Sequence, residues 1–215
     1  MTPPVPTGGE RFSKIKLALT ALSLVVACSA FVLALIPSLG DPIRRHFTPP
    51  TCDDPRSLHK TDVPGAATAT STLADQSDDS GHTFSYLPEK AFDGNAATAW
   101  IPADRQGGAG QTLSITWAHP ISIGLVCLVN GYASDEGTFV HNGTVSNVDV
   151  TTDQGKTSGG FRALDGYSQA GVTMPVATGE TTTLAITITG ARSALEQGAD
   201  QFRDTAISEV TVYTA

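Results

Sequence analysis

An all-β sandwich of the jelly-roll kind, behind a single N-terminal transmembrane helix, is the architecture the sequence predicts. Three observations carry it. Residues 17–36 are apolar and uncharged throughout; residues from about 64 onward alternate short β-rich runs with Gly, Asp and Asn; and the one helical candidate, SALEQGADQF at 193–202, is short and broken by Gly198. Regularly spaced strands with turn signals argue for an antiparallel sandwich.

The run 17–36, LALTALSLVVACSAFVLALI, contains no Pro or Gly and no polar stripe. Twenty residues at a rise of ~1.5 Å span roughly 30 Å, the thickness of a bilayer core. Arg11, Lys14 and Lys16 precede it, and Arg44 and Arg45 follow with Asp41 between. That bias places residues 1–16 as a cytoplasmic tail and the rest of the chain outside the cytoplasm, in the cell membrane as a single-pass protein. Val25-Val26-Ala27-Cys28 resembles a lipobox, in which the Cys would be lipidated, but SAFVLALI after it stays apolar where such proteins turn polar. The intact helix is the preferred reading, with the lipid bilayer as its partner.

Residues 37–63 hold Pro37, Pro42, Pro49, Pro50 and Pro55 and read as a stiff, extended extracytoplasmic linker. His46, Cys52 and His59 fall in it at a spacing that fits no zinc pattern. Cys52 can pair with Cys127 outside the cell, but the reading favours a buried Cys127 thiol and a free Cys52. The folded domain is assigned to 64–215. Within it, TLSITW (112–117) ends before His119-Pro120, and ISIGLVCLV (121–129) is nearly continuous apolar, which fits a strand buried on both sides or in a sandwich core. VSNVDVTT (145–152) alternates and then meets a turn at Asp153-Gln154-Gly155. GVTMPV (171–176), TTLAITIT (182–189) and TAISEVTVY (205–213) complete the strands.

The formal charge is −8, and without Arg11, Lys14, Lys16 and Glu10 the chain from residue 41 holds 10 positive and 20 negative groups. Such a domain is repelled by phosphate backbones, so nucleic acid is not an expected partner. No His sits in a catalytic motif. Gly107-Gly108-Ala109-Gly110 lacks the Lys-Ser/Thr pair of a phosphate loop. The expectation is a binding module, not an enzyme.

Asp93-Gly94-Asn95 is a tight turn that brings the oxygens of Asp93, Asn95 and Thr98 close together, an arrangement suited to a hard cation. Glu209 adds a carboxylate if the ends of the domain meet. Trp100 and Trp117 are read as core residues rather than stacking platforms.

The string Lys90-Ala-Phe-Asp-Gly-Asn-Ala-Ala-Thr-Ala-Trp100 resembles the signature of discoidin, or coagulation factor 5/8 type C, domains. Gly110–Ile115, Val129-Asn130-Gly131-Tyr132 and Asp204–Val210 follow in the family's order. The Asn-Gly-Tyr and Ala-Ile-Ser-Glu pieces are most similar to the bacterial branch associated with NAD glycohydrolase toxins. The resemblance covers residues 66–215. It implies a discoidin-like jelly roll and a structural Ca²⁺ held by the carbonyls of Lys90, Asn95 and Ser208, the side chains of Asp93 and Glu209, and Thr98. It implies glycan binding, with cell-wall polysaccharide as a candidate, and no import of NAD hydrolysis, which belongs to a separate domain. The alternative function is a protein-interaction or structural module of an envelope complex. Ligand contacts are expected from end loops carrying Arg105, from Tyr132, Asp135, Glu136 and His141, and from Arg203. Tyr132→Ala is expected to weaken binding without lowering stability.

Overall fold

The computed structural model describes residues 50–62, 65–104, 107–161, 174–175, 179–193 and 204–215. They belong to one compact unit, Pro50–Ala215. The segments 1–16 and 17–36 and the linker up to residue 49 lie outside the described residues, as does the helical candidate beyond Ser193. Among the described residues no helix is long and apolar enough to cross a membrane.

The strands are β1 (His59–Lys60), β2 (Gly65–Ala69), β3 (Gln76–Ser77), β4 (Thr83–Phe84), β5 (Thr112–Asn130), β6 (Gly143–Thr152), β7 (Gly155–Gly160), β8 (Met174–Pro175), β9 (Glu180–Ser193) and β10 (Ile207–Thr214). A 3₁₀ turn covers Pro88–Ala91, and a short helix α1 covers Glu136–His141. The fold is an antiparallel all-β sandwich, as expected. Eight strands run in the order β1-β10-β5-β9-β6-β7, with β2 and β8 also paired to β5, and β3–β4 forms a separate hairpin.

One strand makes both layers. The first part of β5 pairs with β2 and β9 through Thr112–Thr116, and its second part pairs with β10 and β8 from Ile123 to Val129. The sequence predicts two strands broken at His119-Pro120, but the chain continues as one. Its register against β9 shifts between Thr116 and Ile121, so Pro120, which has no N–H to give, falls where the ladder is interrupted. Strands that switch sheets at such irregularities form the corners of sandwiches.

Alternation builds the core. Val148 and Val150 of β6 and Leu184, Ile186 and Ile188 of β9 face inward with Val126, Leu128, Val210 and Val212. Trp100 and Trp117 are both buried in this cluster, as expected. The continuous apolar run in β5 has a second cause. Leu125 and Cys127 are also buried, and residues 50–58 lie along this strand. Cys127 is bonded to Cys52, and a Cβ at Gly124 would meet Leu58 at 2.7 Å. Two expectations are thereby corrected. Cys52 and Cys127 form a disulfide, and residues 50–62 are part of the fold rather than an extended linker, with β1 completing the edge beside β10.

The Asn-Gly-Tyr motif has a local explanation. Asn130 Nδ2 donates to the Val145 carbonyl and its Oδ1 accepts from the Val145 N–H, both at 2.8 Å, which satisfies a register shift in β6. Gly131 holds φ 86°, and a Cβ there would meet Phe139 at 2.6 Å. Only glycine fits both demands.

Candidate functional site

Two adjacent features occupy one end of the sandwich. The first is the oxygen-rich turn. The 3₁₀ turn delivers Lys90, and the Asp93 side chain accepts from the Asn95 N–H at 3.0 Å. Asn95 Oδ1 in turn accepts from Ala97 N–H at 3.1 Å. Thr98 Oγ1 lies 3.3 Å from the Lys90 carbonyl, 3.0 and 2.9 Å from the two Asp93 carboxylate oxygens and 2.8 Å from the Asn95 carbonyl. A hydroxyl has one proton to donate and cannot serve all four acceptors; Asp93 Oδ1 also takes the Asn95 N–H, and the Asn95 carbonyl takes the Thr98 N–H at 3.0 Å. Lys90 Nζ supplies partial compensation, 3.5 Å from Asp93 Oδ2.

Strand β10 docks against this turn. Trp100 and Ile207 exchange backbone hydrogen bonds at 3.0 Å in both directions. Glu209 Oε2 then accepts from Gly94 N–H at 3.1 Å. Burial pushes the Glu209 carboxyl up to about 7; Lys60 opposes this, Asp93 adds to it, and the Gly94 and Asn95 amides oppose it. Five of the six expected cation-site residues are thus brought together. The sixth, Ser208, is buried beside them, but its hydroxyl accepts from Ala133 N–H at 2.8 Å. Only its carbonyl is left for the role the resemblance implies. Among the described residues no three His, Cys, Asp or Glu side chains converge. A cation here would rest on carbonyls, one hydroxyl and two carboxylates, a donor set of the hard-oxygen kind that Ca²⁺ takes.

The second feature is a cleft of about 720 Å³ between the β3–β4 hairpin and the segment from Tyr132 to Thr138, with Lys90 and Thr98 of the turn on one wall. Tyr86 and Tyr132 line it and belong to a small core cluster with Ala99, Ile101 and Ala206. The Tyr86 and Tyr132 rings meet edge to face at 6.2 Å, and burial raises both phenols above the usual tyrosine range. At the rim, Phe84 is 37% exposed and stands edge-on to the His82 ring at 4.7 Å.

Of the expected ligand contacts, Tyr132 and Asp135 line this cleft. Tyr132 is buried, so Tyr132→Ala would cost stability, contrary to the expectation above. Asp135 caps α1, accepting from Thr138 N–H at 2.8 Å, Thr138 Oγ1 at 2.6 Å and Ser134 Oγ at 3.0 Å. Those bonds, the Thr138 hydroxyl first, hold its carboxyl below the usual range. Glu136 begins α1 and is exposed, and His141 ends it with Nδ1 2.6 Å from the Gly137 carbonyl; neither lines the cleft. Arg105 and Arg203 lie outside the described residues.

Sequence reasoning missed Asp78, His82, Phe84 and Tyr86. Asp78-Asp-Ser-Gly81 was the available signal. Asp78 accepts from Ser80 N–H, Ser80 Oγ and His82 N–H, and Gly81 turns the hairpin with φ 81°.

An antiparallel sandwich whose last strand closes on an Asp-Gly-Asn turn defines a discoidin-like, F5/8 type C domain. The family model for the NAD glycohydrolase translocation F5/8 type C domain matches residues 59–213, and the chain belongs to that family. Among solved structures, arabinofuranosyltransferase AftD from Mycobacteria is similar, with a TM-score of 0.52 and 20% identity over 75% of this chain and 12% of that one. The CBM32-1 and CBM32-2 domains of Clostridium perfringens ZmpB give a TM-score of 0.51 and 12% identity over 74% of this chain and 36% of that one. The chain therefore spans only about an eighth of the transferase, and both likenesses concern the fold. No curated protein matches the chain.

Proposed function

We propose that the chain is a non-catalytic, carbohydrate-binding module held outside the cytoplasm by its N-terminal apolar segment, with its glycan in the cleft between β3–β4 and Tyr132–Thr138. The cleft carries the reading. It combines an exposed aromatic edge at Phe84, hydroxyls and amides along its walls, and a tyrosine-lined floor. Sugars present apolar faces for such rings and hydroxyls for such polar groups. CBM32 neighbours and the family assignment support the same reading.

Binding rather than catalysis is supported by the carboxylates. Asp78 and Asp135 are spent on their own loops, and hydrogen bonds hold both below the usual range. Neither is poised to exchange a proton near neutral pH. The oxygen-rich turn would carry a structural Ca²⁺ that stiffens the wall of the cleft. The Cys52–Cys127 disulfide supports an oxidising, extracytoplasmic location.

Titration with cell-wall polysaccharide fragments, followed by NMR, tests the cleft. Shifts should cluster on the β3–β4 hairpin and Tyr132–Thr138. A shallow, wet site desolvates few groups, so dissociation constants should lie near ~1 mM. Phe84→Ala should weaken binding several-fold at unchanged stability, and Tyr132→Phe should do so more mildly. If no glycan moves these resonances while an envelope protein is captured through the same surface, the module is a protein-interaction domain.

A further inference from the structure

The cleft between β3–β4 and Tyr132–Thr138 carries charge of one sign in excess. Asp78 stands on its hairpin wall and Asp135 on the facing wall, at the start of α1. Both are exposed. Ser80 and His82 donate to Asp78, and Thr138 and Ser134 donate to Asp135. Such bonds favour the ionised form and leave its charge in place. All three bonds to Asp78 fall on Oδ1, and among the described residues Oδ2 accepts none. Further carboxylates lie close by. Burial is the first cause of the raised Tyr86 and Tyr132 phenols, but Asp204 and Asp75 add to it at Tyr86, and Asp135 adds to it at Tyr132. Positive charge is scarcer. Among the described residues of the lining, Lys90 is the one permanent cation, and its Nζ lies 3.5 Å from Asp93 Oδ2. A cation bound at Asp93 would loosen that tie, and two carboxylates would still face one ammonium. His82 is the other lining side chain able to carry positive charge.

We propose that this cleft selects its glycan by charge, with Asp78 and Asp135 as the selecting residues: it prefers sugars bearing a protonated amine, takes neutral sugars less well, and rejects sugars bearing a carboxylate. The inference rests on the reading of the cleft as a glycan site. A sugar ammonium finds an unclaimed acceptor in Asp78 Oδ2, and a sugar hydroxyl finds the same acceptor without the charge. A sugar carboxylate meets like charge on both walls. Repulsion of the wrong partner is as effective a source of specificity as attraction of the right one.

The test uses the full-length chain in an uncharged detergent at low salt, and three methyl glucosides that differ only at C6: a primary amine, the ordinary hydroxymethyl group and a carboxylate. NMR titrations are run at a pH of about 8, above the ordinary histidine range and below that of an alkylamine. Resonances of Phe84 and Thr138 should report affinities in the order amine, neutral, acid. Amine and acid should differ by about tenfold, the scale of one charge contact changing sign near a protein surface. Added salt should narrow that gap. Asp78→Asn combined with Asp135→Asn keeps an acceptor oxygen in both loops and should bring amine and acid within about twofold. If that variant does not fold, the salt dependence decides. The proposal is overturned if the acid or the neutral glucoside binds as tightly as the amine, or if the folded variant keeps the gap; the cleft then remains a sugar site without charge selection. It is also overturned if no glucoside moves these resonances while cell-wall fragments do. If the fragments fail as well, the glycan reading falls with it.

Discussion

Thr98 illustrates how much one side chain organises. Its hydroxyl lies within 3.3 Å of oxygens from three residues, drawing the Lys90 and Asn95 carbonyls and the Asp93 carboxylate into one cluster. Glu209 approaches from 115 residues away in sequence, through Gly94. Burial disfavours ionisation of Glu209, and the nearby Asp93 carboxylate adds to this. A divalent cation would relieve that conflict. Ca²⁺ should therefore raise the melting temperature; a cation that binds only the folded state stabilises it by ~2.7 kcal/mol at a hundredfold excess over its dissociation constant. Asp93→Ala should abolish that response, and calorimetry with and without chelator checks both. An identical melting curve in chelator, with no ion found by mass spectrometry, would remove the cation from this site. The turn was legible because its oxygens are close in sequence. Phe84 and His82 were not, since a two-residue strand leaves too short an alternating pattern to reveal a hairpin.

Among the elements, β5 is the one on which sequence and structure differ most usefully. Its apolar run allowed a strand buried on both sides or one in a sandwich core, and Leu125 to Leu128 are all buried. What covers the outer face was hidden, because the cover is a Pro-rich, charged segment with little apolar content of its own. Leu58 and the Cys52 sulfur supply the contact, and neither residue alone shows a period. The break predicted at His119-Pro120 failed because a sheet-switching strand tolerates a proline where its ladder is already interrupted. The helix α1 was invisible as a pattern, since six residues hold too few turns to display one. The disulfide closes a separation of 75 residues. Its reduction should cost roughly 4 kcal/mol by loop-closure entropy. Thermal or urea unfolding of Cys52→Ala against wild type, each with and without reductant, measures this. Wild type and variant should coincide in reductant and differ without it, whereas equal stability in both conditions would show that the staple contributes nothing.

For the whole molecule, most strands from residue 112 onward could be read, but not β7 (Gly155–Gly160), whose GKTSGG has no apolar residue to alternate; the family resemblance was carried by short motifs that each proved to have a structural task. Asn130 satisfies Val145, Gly131 admits Phe139, and Trp100 ties the turn to β10. The cleft was less legible because it forms between segments separated by about 50 residues, each too polar to show a pattern. The proposed anchoring predicts that full-length protein stays in the membrane pellet through carbonate washing, while a chain beginning at Pro50 is soluble. Carbonate release of the full-length chain would refute the anchor, and palmitate incorporation at Cys28 would replace the helix with a lipid. Starting instead at Pro64 would remove Cys52, Leu58 and β1.

The staple also decides how the domain answers a mechanical pull. Tension applied at its N-terminal end would travel only from Pro50 to Cys52 before meeting a covalent bond to Cys127, near the C-terminal end of β5. The two-residue β1, which could be peeled away one hydrogen bond at a time, lies beyond that point and is spared. Load is handed instead to a 19-residue strand flanked on both sides, whose hydrogen bonds must shear together. A module built this way can be dragged by its tether while gripping something immobile and still keep the turn and the cleft in register.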